Sequence, residues 1–397
     1  MGGNIALRKA VQFGAGNIGR GFTGQLFSES GFEVVFVDVV PELVQLLNER
    51  RSYPIKLAQE KPEIVIVNNV RAVNGLDVGA VAEEIRTADI MCTAVGVNVL
   101  PKVAPTIAAG IKVRADAGIE APVNIIICEN LQNMGSFLRG EVAKALPDRY
   151  HAYLDAKIGF VESVVGRMVP VQKHDDDPLL VLVEPYKHLP VAKAGIKGEF
   201  PDIVGVEPRE NFQAFVDRKL FAHNAGHAAA AYFGYLKGYE FIYQAMRDDR
   251  INAAVRAVLG ETGRALIAKH GFDTAEHRAH VEDLLTRFAN VALGDQVARV
   301  GGDPMRKLGP EDRLVGAAKL VWENGEFPAN VCKAIAAGLH FNPPGDPTAP
   351  KVQEIVRREG VKGALAKISG LSADSPFADE IIKQYELVVA EFGPRAT

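Results

Sequence analysis

Short apolar runs alternate with amphipathic stretches over the first half of the chain. Ala10–Phe13, Glu33–Val37, Ile64–Val67, Ile90–Ala94 and Val123–Ile127 are of strand length and rich in β-branched residues, whereas Ile18–Ser30 and Pro41–Glu49 carry helical spacing. Buried runs separated by helices predict a parallel sheet covered on both faces, which is an α/β, doubly wound Rossmann-type domain. Leu179–Val183 reads as a further strand, antiparallel and at an edge. Beyond Asn211 the period changes. Ala253–His270, His277–Ala292 and Glu311–Trp322 repeat near 3.6 residues and predict a mainly α-helical C-terminal domain. Ala192–Arg209 mixes Gly, Pro and charge, so the boundary is expected there, dividing the chain into 1–197 and 198–397.

Composition bounds the function. A chain of 397 residues is long enough for two cores, and 48% hydrophobic with 24% charged residues describes an ordinary globular protein. A net charge of -4 offers no basic field for nucleic acid or an anionic membrane, so any phosphate must be met by a local cluster. There is no run of about 18 apolar residues, and no membrane span is expected. The opening MGGNIALRK is too weakly apolar for a secretory leader, and Ala6 stands where a myristoylation signal wants Ser or Thr. Cys92, Cys128 and Cys332 form neither CxxC pairs nor a disulfide framework, which fits a cytoplasmic location. A monomer and a homodimer are both compatible with this reading.

Between the first strand and the first helix lies Phe13-Gly14-Ala15-Gly16-Asn17-Ile18-Gly19-Arg20, a G-x-G-x-x-G turn. Its first glycine permits the tight turn, its second admits a pyrophosphate to the backbone, and its third lets helix and strand pack closely. The helix N-terminus then offers free N–H donors to phosphate. Asp38 ends the second strand, where a carboxylate accepts both ribose hydroxyls and repels a 2′-phosphate. Val39 and Val40 follow with no adjacent arginine, so NAD is expected over NADP. The competing reading is a tight turn beside a solvated strand end, and the strand, turn, helix and acid together weigh against it. Gly96 and Asn98, after the fourth run, are candidate cofactor contacts, and Asn130 is a candidate at the nicotinamide and substrate end.

Hydride transfer from an alcohol needs a base for the hydroxyl proton and donors for the developing alkoxide. No Cys/His set has catalytic zinc spacing, so a side-chain base is expected and no metal. Lys219, Asn224 and His227 lie within nine residues of one predicted helix. At 100° per residue, Lys219 and His227 are about 80° apart, with Asn224 about 60° from His227. Burial beside a positive nicotinamide ring would lower the lysine's pKa towards a working base. From spacing alone, a lysine snorkelling at a helix edge beside a core histidine is favoured. His223 and His227 as metal ligands are a lesser alternative, with no Glu between them and no evident third ligand.

Lys219-x4-Asn224-x2-His227, preceded by the Gly14–Gly21 turn, resembles the polyol-specific long-chain dehydrogenase/reductase (mannitol dehydrogenase) family over nearly the whole chain. Cys128-Glu129-Asn130, Arg218–Phe221 and Arg306-Lys307-Leu308 are most similar to its sugar-phosphate branch. The resemblance implies Lys219 as general base assisted by Asn224 and His227. It also implies interconversion of D-mannitol 1-phosphate and D-fructose 6-phosphate with NAD(H). A sister reductase acting on free polyols or hexuronates is the alternative, and a nucleotide-sensing protein without turnover is the more distant one. The sequence departs from the wider family's P-N-S-M-V-D-R-I-T-P at Glu162, typical of that branch, and at Gly166, which is not. The second oxyanion donor then falls to Asn130 or Ser163, with Glu162 and Ser163 expected near substrate. The phosphate of the sugar is expected at Arg306 and Lys307, after the Gly301-Gly302 loop, although Arg306 paired with Asp303 or Glu311 is an equal alternative. Glu184 and Tyr186 are further candidates for sugar hydroxyls.

Overall fold

The computed structural model describes residues 8–170, 177–372 and 374–393. Residues 1–7, which carry most of the stretch read above for leader and myristoylation signals, lie outside the described ones. Two compact units divide at Phe212.

The first unit is built on β1 (Arg8–Phe13), β2 (Phe32–Asp38), β3 (Ser52–Leu57), β4 (Glu63–Asn68), β5 (Val70–Asn74), β6 (Ile90–Thr93), β7 (Val123–Ile127), β8 (Ile158–Glu162), β9 (Val181–Val183), β10 (Leu189–Ala192) and β11 (Val206–Arg209). Six of them form one parallel sheet in the order β5-β2-β1-β6-β7-β8. The order reverses between β1 and β6, the place where such sheets open a crevice for ligands. Alternate residues serve opposite faces: Ala10, Phe36, Cys92 and Ile126 join one apolar cluster, Val11, Val37, Met91 and Ile125 the other. This double coverage is why the sequence shows continuous apolar runs.

Two strand expectations need correction. Ile64–Val67 lies within β4, which is antiparallel to β3 in a separate sheet of order β4-β3-β9. Val65 and Val67 turn inwards, but Ile64 and Ile66 stand 52% and 51% exposed, so the run is one-sided rather than buried on both faces. Leu179–Val183 does lie at an edge, but β9 pairs with β3 in parallel, not antiparallel. Val70–Asn74 takes the place in the main sheet, with Arg71 pairing to Glu33 and Glu84.

The second unit is helical. At its centre, Ala225–Lys237 (AGHAAAAYFGYLK) is buried over most of its length. Small residues let it pack closely: a Cβ on Gly226 would come 2.9 Å from Leu259, and one on Gly234 2.9 Å from Ala245. The long helix Asp249–His270 lies against it, capped by the Asp248 carboxylate, which accepts the N–H groups of Arg250 and Ile251. Just before this central helix the chain makes a π-helical segment, Lys219–Asn224.

Candidate active site

In the first unit the glycine turn is shaped by contacts that leave no room for side chains. Gly14 has φ +91°, and a Cβ there would come 2.6 Å from the Ala94 carbonyl oxygen. A Cβ on Gly19 would come 2.0 Å from Gly14 O. Gly16 differs, because nothing in the protein lies within 4 Å of a Cβ placed there. Packing therefore does not demand glycine at position 16, whereas the close approach of a phosphate would. Phe13 and Ala15 are buried beneath the turn, Asn17 and Ile18 open the helix above it, and both are half-buried. Arg20 is buried and its guanidinium is held by backbone carbonyls: Nε donates to Ala15 O at 2.6 Å and Nη1 to Pro178 O at 3.0 Å.

Asp38 braces the same loop. Oδ2 accepts Ala15 N–H at 2.7 Å and Oδ1 accepts Val40 N–H at 3.0 Å. A carboxylate has about four acceptor sites, so ribose hydroxyls still find lone pairs there. The turn, the helix N-terminus and Asp38 fit a dinucleotide. Across the switch point, buried Glu129 holds the next loop. It accepts the Thr93 hydroxyl at 2.6 Å and the N–H groups of Val95 and Gly96 at 2.9 and 3.3 Å. That tie sets Gly96 at φ +89° with open space around it, and Asn98 is exposed just beyond.

Asn130, Glu162 and Ser163 follow β7 and β8 at the carboxyl edge of the sheet. Asn130 is exposed. Glu162 is half-buried against Gly135, where a Cβ would come 3.2 Å from its carboxylate. Ser163 Oγ donates to Ile127 O at 2.9 Å, with Cys128 Sγ also near at 3.4 Å, so its proton is committed to the sheet edge. At Gly166, where the family pattern has Asp, an added Cβ would meet the Tyr186 ring at 3.2 Å, a tight contact that the ring would have to yield to. Glu184 is fully buried, accepting Met168 N–H, while Arg167 donates to the Glu184 backbone carbonyl at 2.7 Å.

In the second unit the π-helical segment alters the angular reading. Its i→i+5 spacing brings Asn224 nearer the face of Lys219, where a regular α-helix would set them about 140° apart. Lys219 is half-buried. Burial first, then the positive fields of Arg313 and Arg287, lowers its pKa to about 8. His223 is buried and held neutral by burial and by Arg287. Its ring and that of His227 meet edge to face at 6.1 Å, and among the described residues no three His, Cys, Asp or Glu side chains gather as metal ligands.

His227 stacks on Phe288 with centroids 4.7 Å apart and planes 5° apart. Its Nε2 lies 3.2 Å from Asp295 Oδ2. Lys307 is buried, donates to Val300 O at 2.6 Å, and is lowered to about 7 by burial and by Arg313 and Arg306. Arg306, next in sequence, is half exposed and pairs with Asp303 at 2.8 Å and Asp312 at 3.1 Å. Asp295, Arg313, Arg287 and Phe288 escaped the sequence reading. The local signals were the i,i+4 spacings of Asp295 with Arg299 and of Asp283 with Arg287.

A nucleotide-type parallel sheet joined to a helical unit with a pKa-lowered lysine is the build of a dinucleotide-dependent dehydrogenase. Residues 8–205 match the mannitol dehydrogenase Rossmann domain and residues 211–389 the mannitol dehydrogenase C-terminal domain. The chain belongs to the mannitol dehydrogenase family. It is 45% identical to a mannitol-1-phosphate 5-dehydrogenase of Brevibacillus brevis over 376 residues, 94% of this chain and 96% of that one. It is 42% identical to one of Anoxybacillus flavithermus, covering 94% and 98%. The fold is similar to Pseudomonas fluorescens mannitol 2-dehydrogenase, solved as a ternary complex with NAD and D-mannitol (TM-score 0.72, 17% identity, 98% of this chain and 92% of that one). It is also similar to a D-sorbitol dehydrogenase solved in substrate-free form (TM-score 0.81, 16% identity, 98% and 96%). Among the described residues no helix is long and apolar enough to cross a membrane.

Proposed function

We propose that this oxidoreductase interconverts D-mannitol 1-phosphate and D-fructose 6-phosphate with NAD(H), without a metal, using Lys219 as general base. The observation that carries the chemistry is the lowering of Lys219 to about 8 by burial and two arginines, which makes its amine a base near neutral pH. The substrate is supported by the relatives at 45% and 42% identity that bear this activity in their names. NAD is supported by Asp38 and by the cofactor of the mannitol 2-dehydrogenase complex.

The cofactor would lie on Phe13–Arg20, Asp38, Gly96 and Asn98, and when bound it supplies the hydride acceptor or donor. Lys219 as free amine takes the hydroxyl proton during oxidation and, as ammonium, returns it to the alkoxide during reduction. Asn224 steadies that oxygen as a neutral donor, and His227 completes the polar group around it. Asn130, Glu162 and Ser163 are assigned to the substrate on the first unit. The phosphate is assigned to Lys307 with Arg306, in a region where Arg313 adds further positive charge. Purified protein should oxidise NADH with fructose 6-phosphate and not with fructose. Turnover confined to free fructose or to hexuronates would transfer the chain to a sister activity.

A further inference from the structure

Asp295 has no place in the roles assigned so far, yet its buried carboxylate is shared between two named neighbours. Oδ1 accepts Arg299 Nε at 2.7 Å and the Nη2 of the same guanidinium. Oδ2 lies 3.2 Å from His227 Nε2, with the two side chains only 7% and 12% exposed; the contact falls short of a regular hydrogen bond, and Nε2 has no other partner among the described residues. The His227 nitrogen is shut off from solvent and unsatisfied, and this carboxylate oxygen is the polar atom that stands beside it, so a small adjustment of the ring completes the bond. The ring cannot easily turn away, being stacked on Phe288 and met edge-on by His223. Burial keeps it neutral, outweighing the pull of Asp295, and Arg299 and Lys307 act in the same direction as burial.

A neutral imidazole carries one proton, and its two nitrogens differ in kind. The tautomer with a bare Nε2 would set a lone pair against a carboxylate lone pair in a buried place. The other tautomer donates to it. We propose that Asp295 is a positioning residue that fixes His227 as the Nε2–H tautomer, so that Nδ1 serves the reaction as an acceptor. His227 then takes a hydrogen bond from the substrate hydroxyls or from Lys219 and does not donate to the alkoxide. Donation falls to Asn224 and to the protonated lysine. The catalytic consequence rests on His227 belonging to the reaction site proposed above, but the tautomer itself does not.

Long-range ¹H–¹⁵N correlation on protein labelled at histidine reads the tautomer directly, with His227 assigned by the signal lost in His227→Gln. Nε2–H is expected in the native protein. In Asp295→Asn, Arg299 keeps the amide oxygen, so the amide NH2 faces His227 and drives the proton to Nδ1. The turnover number should fall about ten- to a hundred-fold with NADH affinity unchanged, and Asp295→Glu should recover part of it. An Nδ1–H or doubly protonated His227 in the native protein overturns the proposal, and that measurement decides even where Asp295→Asn does not fold. Unaltered turnover in a folded Asp295→Asn overturns it too. The tautomer is read without substrate, so inactivity on fructose 6-phosphate beside an intact Nε2–H signal would sink the substrate assignment alone.

Discussion

Gly19 and Gly14 approach so closely that a Cβ on the first would come 2.0 Å from the carbonyl oxygen of the second. Both sit on backbone, which cannot rotate aside as a flexible side chain would. Gly16, between them in the same turn, meets nothing. One motif thus contains a glycine that packing demands and one that packing does not.

Gly19→Ala should therefore lose stability at or beyond the upper end of about 1–3 kcal/mol expected for overpacking. Gly16→Ala should melt like the native protein and weaken NADH binding instead. Calorimetry beside fluorescence titration of NADH separates the two. Equal melting temperatures for both variants would contradict the packing account of Gly19.

Lys219→Ala should bind NADH normally and lose about 10²–10⁴-fold in turnover at neutral pH, the range for a positioned proton-transfer group. Its pKa also sets the pH profile. Oxidation needs the free amine, so its rate should rise with pH and level off above about 8. Reduction needs the ammonium and should decline over the same interval. Because Arg313 contributes to the lowering, Arg313→Gln should move both profiles to higher pH. Steady-state rates in both directions between pH 6 and 10 would test this, and coincident profiles for native and Arg313→Gln protein would refute the electrostatic coupling.

Much of the fold could be read because β1, β2, β6 and β7 are buried on both faces, and continuous apolar runs advertise that state. β5 was hidden because Arg71 interrupts its run, and β4 misled because an apolar residue looks the same whether it faces a core or water. In the helical unit, Lys219, Asn224 and His227 fall within nine residues, where periodicity can group them. The π-helical segment was invisible, since helical periodicity presumes i→i+4 bonds. Asp295 stands far along the chain from His227, and only the fold brings them together. Arg306 and Lys307 read as a matched pair, yet neighbours on a helix point about 100° apart. One is half exposed between two carboxylates and the other is buried on a backbone carbonyl.

Lys307→Met should expose what that burial is for. The substitution keeps the volume and removes a buried charge, but it also takes from Val300 O the donor it has at 2.6 Å, so stability should fall by about 1–3 kcal/mol at most. Under the phosphate assignment, KM for fructose 6-phosphate should increase at least tenfold, the effect of losing about 1.4 kcal/mol of charge-assisted binding. An unchanged KM would free Lys307 from the substrate and leave it as a buried structural donor.

A last prediction concerns acid. His277 and His280 are packed near Arg218 in the second unit, with both ring nitrogens of His277 and Nε2 of His280 lacking hydrogen-bond partners. Burial first, and the Arg218 charge after it, lowers His277 to about 4 and His280 to about 3. Between the ordinary histidine value near 6.5 and those lowered values, the unfolded chain takes up protons that the folded chain refuses. Stability is therefore complete above pH 6.5 and declines as the pH falls through about 4. The loss should reach a few kcal/mol, because each tenfold difference in proton affinity between the two states is worth about 1.4 kcal/mol. Urea denaturation at pH 7, 6, 5 and 4 should show that slope. His277→Phe, an apolar ring in an apolar place, should flatten part of it, because one of the two groups that distinguish the folded from the unfolded state would be gone. An unchanged slope in that variant would assign the acid sensitivity to other groups.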